Sequence, residues 1–535
     1  MKLNKSGNLS AYTQRDIIFY FEVLIIVGAS CIPLFFNLPY RDNIYLSWEG
    51  AYRLYLGQIP YQDFGLPLGF GFWIIPALFF KIFGPFLFTL IKAQVLINIL
   101  SLFAFRNILK ILKVDEPKIL LAICIFIFSY SFPNFWPWYN HTVFVFQLIS
   151  FNLILIPLFK ETKRKSLYII LGSFFAFLSF YTKQDSGAIA IAFGGAIILY
   201  HCICEKQFNL LVIYVASLIG FAAIFIIPFL QSDFLYWFNY GQPPHNSRLH
   251  INDFLNKIFG ESEWEKFYLL SIVLVILNNF RLKDIFIEKQ KYIFLFITIG
   301  VIIQALVIKV TSPLPTGHTT YFHAFAFAFL VSSISFKINF NIKQLAFILV
   351  FVFAWWSSIF WGYAERIFKN TKPETSINTS NSIDIKDNPG LIQTSWKTSD
   401  LKAFKHIKLP TETIEGIYNI LALEVVKNKD NLKVLNMSEI TPLAYEIGYA
   451  PQKNQPLWYH LNIGMFEKQV KSFNERIKNK EYDLVLFQPI PDLDNFFPYG
   501  VQEELKLHYK LVDTFEAPRK RTEGYSYIEV YIKPE

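Results

Sequence analysis

The sequence predicts a polytopic α-helical membrane protein of about 11 spans with a soluble C-terminal α/β domain. Three observations carry this. The 535 residues are 53% hydrophobic and 18% aromatic but only 17% charged, whereas ordinary soluble domains are about 25% charged. Apolar runs of about 20 residues, the length a bilayer core requires, recur up to residue 363. Beyond that point the composition turns polar, and short alternating patterns replace the long runs.

Candidate spans fall at 17–37, 86–106, 118–133, 142–159, 167–182, 186–204, 208–230, 266–280, 290–310, 320–336 and 343–363. The run 67–83 is also apolar, and loop charge decides how to read it. If it does not cross, Lys and Arg gather on one side, in clusters such as 106–118, 160–165 and 281–291. Basic loops of this kind stay cytoplasmic. If it crosses, the asymmetry is lost. Gly65, Pro67, Gly69, Gly71 and Pro76 also interrupt a straight span. The segment is therefore expected to be interfacial or re-entrant. The N-terminus is expected to be cytoplasmic and the C-terminal domain periplasmic or extracellular, with the chain in the inner (cytoplasmic) membrane. The net charge of +9 is accounted for by these loops and requires no nucleic-acid partner.

Three regions follow: a membrane domain 1–365 whose outer loop 37–85 stands apart, a linker 366–397 rich in Ser, Thr, Asn and Pro, and an α/β domain 398–535. In the last, LKVLNM, YDLVLF, HYKLVDTFE and YSYIEVYI read as strands, and MFEKQVKSFNERIKNK as an amphipathic helix. It carries no Gly-rich phosphate loop and no His or Cys cluster, so no cofactor and no metal site are expected. Cys31, Cys124, Cys202 and Cys204 all lie in or beside apolar spans and read as small hydrophobes.

Loop 37–85 carries Arg41, Asp42, Glu49, Arg53 and Asp63 in a part of the chain otherwise almost free of charge. Asp42 follows the first span closely, where a carboxylate can meet a lipid headgroup and act as a base on a hydroxyl. It can equally be an interfacial Asp paired with Arg41 or Arg53. Asp63, after GQIPYQD, is either a second catalytic carboxylate or a turn-fixing group. Lys183, in SFYTKQDSGA, lies between two spans joined by almost nothing. A cation there is costly, so it is paired, with Asp185 the near candidate, or it binds an anion such as a phosphate. His318, Tyr321 and His323, in TGHTTYFHAF, lie at another predicted outer edge. His141 in WYNHT and the basic patch of His245, Arg248 and His250 give weaker signals.

An acid after the first span followed by AYRLYLGQIPYQDFGLPLGFGFWIIPALFFKIFGP resembles the first outer loop of the GT-C superfamily of polyprenyl-phosphate-sugar-dependent glycosyltransferases. Within it, the likeness is to bacterial relatives of protein mannosyltransferases and of the aminoarabinose transferase of lipid A. FYTKQDSG resembles their Thr-Lys-Gln segment, and HTTYFHAFAFAFL their late His/Tyr segment. The resemblance covers about residues 10–365. It implies an inverting transfer from a polyprenyl-phosphate-linked sugar to a lipid, glycan or protein hydroxyl. Asp42 would be the general base, and Lys183, with His318 or His323 and Arg41 or Arg53, would steady the leaving phosphate. Many members carry two adjacent acids, whereas Asn43 follows Asp42 here, which argues against a metal at this spot.

A transporter or flippase of lipid-linked glycans is the competing reading. It calls for ionisable groups near the bilayer midplane and for internal repeats. The polar groups here gather at one predicted edge, and no repeat is evident.

Overall fold

The computed structural model describes residues 5–41, 44–238, 262–311, 319–334, 345–346, 349–350, 353, 395–428, 431–462, 464–490, 496–518 and 526–534. Asp42, His245, Arg248, His250 and His318, most of the candidate span 343–363 and most of the linker lie outside the described residues.

In chain order the main elements begin with α1 (Lys5–Cys31), β1 (Leu38–Pro39), α2 (Ile44–Tyr55), β2 (Phe64–Gly65) and α3 (Gly71–Phe83). The helices α4 (Leu87–Ile111), α5 (Glu116–Phe126), α6 (Tyr139–Phe159), α7 (Lys165–Phe180), α8 (Gln184–Glu205) and α9 (Asn209–Ile226) follow. Next come α10 (Phe234–Phe238), α11 (Glu263–Asn279), α12 (Lys289–Thr311) and α13 (Phe322–Ser333). The C-terminal part adds β3 (Trp396–Thr398), β4 (Ile407–Pro410), α14 (Thr411–Ala422), β5 (Val434–Met437), β6 (Gln455–Pro456) and α15 (Glu467–Lys478). It ends with β7 (Leu484–Phe487), α16 (Tyr499–His508), β8 (Lys510–Glu516) and β9 (Tyr527–Ile532). The chain forms two compact units.

The first unit takes residues 1–32, 94–228 and 246–363 and is a helical bundle. Among the described residues, each candidate span before 337 contains a helix. Six helices among the described residues are long and apolar enough to cross a bilayer. The stretch Asn209–Phe229 is only 6% buried, and Val212, Ile219 and Ile224 are each 64% exposed. An apolar helix turned outward to this degree is stable only against lipid, and the protein is a multi-pass membrane protein. The bundle interior is filled by Phe105, Phe126, Phe294, Phe325 and Phe329 together with Leu and Ile side chains. One buried cation in the bundle, Arg106, is paired with Glu22 at 2.5 Å, as a charge inside a bundle must be.

The second unit joins residues 33–93, 229–245 and 364–535. Its main sheet has the order β5-β7-β9-β8, with β5 and β7 parallel and β9 antiparallel to both β7 and β8. The four long strands and the amphipathic helix expected from the sequence are all present, as β5, β7, β8, β9 and α15. All four residues of β7 are buried because it lies between two other strands. Helix α15 buries Gln469, Phe473 and Ile477, spaced i, i+4, i+8 on one face. Its start is fixed by Gln469, whose side-chain oxygen accepts the Phe466 backbone N–H at 2.9 Å. Burial of Phe473 and Ile477 stabilises the docking by about 1.5–3 kcal/mol each.

Helix α3, from the apolar run 67–83, belongs to this unit. Thirteen residues span about 20 Å, short of the roughly 30 Å of a bilayer core. Its Trp73 and Phe80 face inward, while Leu78 and Ile82 are 55% and 71% exposed.

Candidate functional site

Loop 37–85 is built into the interior of the second unit. Every residue of α2 from Ile44 to Arg53 is buried. Trp48 stacks on Tyr52 with ring centroids 4.5 Å apart and donates its indole N–H to the Pro85 carbonyl at 2.9 Å. Gly50 is obligatory here, since a Cβ would lie 1.9 Å from the Trp73 ring.

Both ends of α2 are tied to the C-terminal domain by backbone pairing. Before it, β1 runs parallel to β4, with Leu38 opposite Ile407 and Pro39 opposite Lys408. After it, β2 runs parallel to β6, with Phe64 opposite Gln455 and Gly65 opposite Pro456. Side chains add to this. The Tyr40 hydroxyl donates to the Glu439 carbonyl, the Thr441 hydroxyl to the Tyr45 carbonyl at 3.3 Å, and the Gln58 amide to the Pro451 carbonyl at 2.7 Å.

Arg53, expected from the sequence as a phosphate ligand, is fully buried. Its Nε and Nη2 both donate to Glu49 Oε1, at 3.0 and 2.8 Å. Its Nη1 donates to Gln58 Oε1 and to the Gln452 carbonyl, both at 2.9 Å. These bonds account for the guanidinium's fork and join α2 to the 451–452 turn. Burial pushes the Glu49 carboxyl above its ordinary range, against the pull of Arg53.

Asp63 is held in the same manner. One carboxylate oxygen accepts the Ile59 N–H at 2.8 Å, and the other pairs with Lys453 at 3.0 Å. Burial raises its pKa, but the Ile59 N–H and the Lys453 ammonium outweigh this and hold it below the usual value. Arg41, the residue before Asp42, is partly exposed, and its carbonyl accepts the Ile44 N–H as α2 begins.

The other sequence-derived site residues lie in the bundle. Between α7 and α8 the chain reverses in a few residues. A Cβ on Gly187 would lie 2.1 Å from Phe180 Cα, so only glycine admits this close approach. The reversal buries Lys183, which is 3% exposed, with its ammonium 3.1 Å from Asp185. Asp185 also accepts the Ser186 backbone N–H at 2.6 Å, and the Thr311 hydroxyl lies within its reach.

Tyr321 is fully buried and stacks on Phe144 at 3.6 Å. Asp185 lies within electrostatic range of its hydroxyl, which is enclosed without a hydrogen-bond partner. His323 Nδ1 is 3.2 Å from the Tyr268 hydroxyl, and its ring lies against Trp264. Near them in sequence, Lys309 pairs with the buried Glu265. The structure thus brings Lys183, Asp185, Thr311 and Tyr321 into one group, with His323 one turn or less from Tyr321 along the chain.

A polar cluster that the sequence reading undervalued adjoins this group. Gln94 donates to Asn98 at 2.8 Å and lies 3.2 Å from His141 Nδ1. His141 stacks on Tyr130 at 4.7 Å, and Tyr130 meets Tyr321 edge-on at 5.3 Å. Tyr130 sits in a π-helical turn, Ile127–Ser131, that continues α5. Such turns mark functional sites often enough to be informative. His141 Nε2 and both amide atoms of Asn140 are buried without a partner. The available signal was the i, i+4 pair of amides, Gln94 and Asn98, inside an otherwise apolar span. Among the described residues no three His, Cys, Asp or Glu side chains come together as a metal would require.

No family model matches this chain, and no curated protein matches it. Among solved structures it is similar to the crystal structure of ArnT from Cupriavidus metallidurans in the apo state. The identity is 11% and the TM-score 0.49, over 98% of this chain and 100% of that one. The same protein bound to undecaprenyl phosphate gives 11% and 0.44 over the same shares. The cryo-EM structure of the arabinofuranosyltransferase AftD from Mycobacteria gives 11% and 0.48, over 96% of this chain and 40% of AftD. This chain therefore spans less than half of AftD. At this level of likeness, function is read from the chain's own residues.

Proposed function

We propose that the protein is a GT-C-type glycosyltransferase that moves a sugar from a polyprenyl-phosphate-linked donor to an acceptor hydroxyl. The observation that carries this reading is the buried group of Lys183, Asp185 and Tyr321, with a cation almost removed from water and a tyrosine hydroxyl enclosed without a partner. A cation so placed suits an anionic leaving group, and an unpartnered hydroxyl suits a ligand oxygen. The segments FYTKQDSG and HTTYFHAFAFAFL, which carry the resemblance, supply these residues.

In the proposed reaction the acceptor oxygen attacks the anomeric carbon as its proton passes to the Asp42 carboxylate. The bond from that carbon to the phosphate oxygen breaks, and polyprenyl phosphate leaves with the electron pair. A single displacement inverts the anomeric centre. Lys183, Tyr321 and His323, with Arg41 and His318, favour the charge gathering on the leaving phosphate, an effect of preorganised donors. Arg53 and Asp63 act by holding the loop. The reaction is placed at the outer face of the cytoplasmic membrane, with the C-terminal domain on the same side. Acceptors of the lipid, glycan and protein classes all fit a hydroxyl nucleophile.

The test is transfer in liposomes from a panel of radiolabelled polyprenyl-phosphate sugars, with native membrane extract as acceptor. Wild type is expected to label an acceptor from at least one donor, and Asp42→Asn to label none. Equal labelling by both proteins would remove Asp42 from the chemistry.

A further inference from the structure

The C-terminal domain has a sheet whose strands β5 and β7 run parallel. In such sheets ligands bind in the crevice beyond the carboxyl ends of the strands. Here the chain itself fills that position. Beyond β5, Glu439 receives the Tyr40 hydroxyl on its carbonyl, and Thr441 donates to the Tyr45 carbonyl. Beyond β7, Gln488 donates to Glu439 and to Ser526 and accepts the Glu439 N–H, so it too is occupied. What is left is a small cleft, with room for little more than a water, whose walls include Glu49 and Arg53 of α2 and Asn436, Thr441, Tyr449 and Gln455 of the domain.

The ties are distributed in a way that fixes a position. Two parallel strand pairs bracket α2, one on each side. Five side-chain bonds or ion pairs lie between or beside them: Tyr40 to Glu439, Thr441 to Tyr45, Gln58 to Pro451, Arg53 to Gln452 and Lys453 to Asp63. Partners separated by nearly 400 residues in sequence, such as Tyr40 and Glu439, meet with backbone carbonyls as acceptors. A carbonyl in a folded turn is a fixed reference point, whereas a long side chain is not. An appendage joined by a linker would need none of this.

We infer that the C-terminal α/β domain is a positioning device for the first loop: its strand-end crevice and the edges β4 and β6 hold α2 and the loop's two ends in place, with Tyr40, Gln58, Thr441 and Lys453 as positioning residues. This rests on the proposed glycosyl transfer for its kinetic readout but not for its structural one.

The test uses the full-length protein in liposomes. Tyr40→Phe, Gln58→Leu, Thr441→Val and Lys453→Ala each remove one tie, and a fourfold variant removes all four. Amide hydrogen exchange over 38–65 is compared with exchange in α6, and kcat and KM for the donor are measured. Each single change is expected to lower kcat by about two- to tenfold, the range for one hydrogen bond, with donor KM nearly constant. Exchange should quicken in 38–65 and not in α6. In the fourfold variant, cysteines at Pro39 and Lys408, which are register partners, are close enough for a disulfide. Oxidation should restore kcat, and reduction should remove it again. Faster loop exchange with unchanged kcat, or a disulfide that restores protection but not kcat, would overturn the inference. Absence of transfer by wild type from every donor would count against the glycosyltransferase reading alone. The exchange data would then decide whether the domain holds the loop.

Discussion

Two buried polar groups, Arg53 in the second unit and Tyr321 in the bundle, are treated in opposite ways. Around α2 of the second unit Arg53 is satisfied by protein: it gives its N–H groups to Glu49, Gln58 and the Gln452 carbonyl. In the bundle several polar groups are enclosed and unanswered, among them the Tyr321 hydroxyl, His141 Nε2 and the Asn140 amide. A satisfied network fixes one geometry, while an unsatisfied buried donor or acceptor costs stability. The difference teaches where to look for each role. The Arg53 network is built to hold, and under the proposed function the Tyr321 hydroxyl of the bundle is left for a ligand.

That comparison can be broken in several places. The largest effect is expected at Asp42, where the Asn variant should lower transfer by about 10²–10⁴-fold, the usual contribution of a positioned base. Its melting midpoint should stay at the wild-type value in a detergent-solubilised thermal scan. Arg53→Ala should act on stability, removing about 3–5 kcal/mol by leaving the Glu49 carboxylate buried and alone. Denaturation followed by Trp fluorescence would register this, since Trp48 and Trp73 lie in the same unit.

Tyr321→Phe is predicted to behave the other way round. It removes a hydroxyl without a partner, so stability should hold or rise slightly, while transfer falls about tenfold if that hydroxyl serves a ligand. Loss of stability with full transfer would erase the contrast between the two groups. The smallest effect is expected from Lys453→Ala. Lys453 is 60% exposed, and its pair with Asp63 is worth at most about 1 kcal/mol. The folded pKa of Asp63 lies below its ordinary 3.8, so the pair contributes fully above that pH. The contribution fades as pH falls through the lower folded value. The melting midpoints of wild type and Lys453→Ala should therefore converge in strong acid.

The legibility of these features follows their length scale. Helices such as α6 and α8 announce themselves by about 20 apolar residues, and β7 and β9 by alternation or a compact apolar run bounded by turn residues. Strands β1 and β2 have two residues each, too few for any period. Their partners β4 and β6 lie about 370 and 390 positions away, beyond any local pattern. For that reason the pairing of loop 37–85 with residues of the C-terminal domain was not legible in the sequence. Lys183 was legible because a lone cation between apolar spans is expensive. Arg53 was legible as unusual, but only its four hydrogen bonds, to Glu49, Gln58 and the Gln452 carbonyl, show how it is held. His141 read as weak because a single histidine at a span edge says little until Gln94 and Asn98 are seen beside it.

The central claim is that this chain breaks a bond between sugar and lipid phosphate, and a single-turnover experiment tests that most directly. Purified protein in liposomes would receive doubly labelled donor, with one label on the sugar and one on the lipid phosphate, together with acceptor. The account predicts one polyprenyl phosphate released for each sugar that reaches the acceptor, with the product's anomeric configuration inverted. Movement of intact donor between leaflets, with neither label separated from the other, would contradict it.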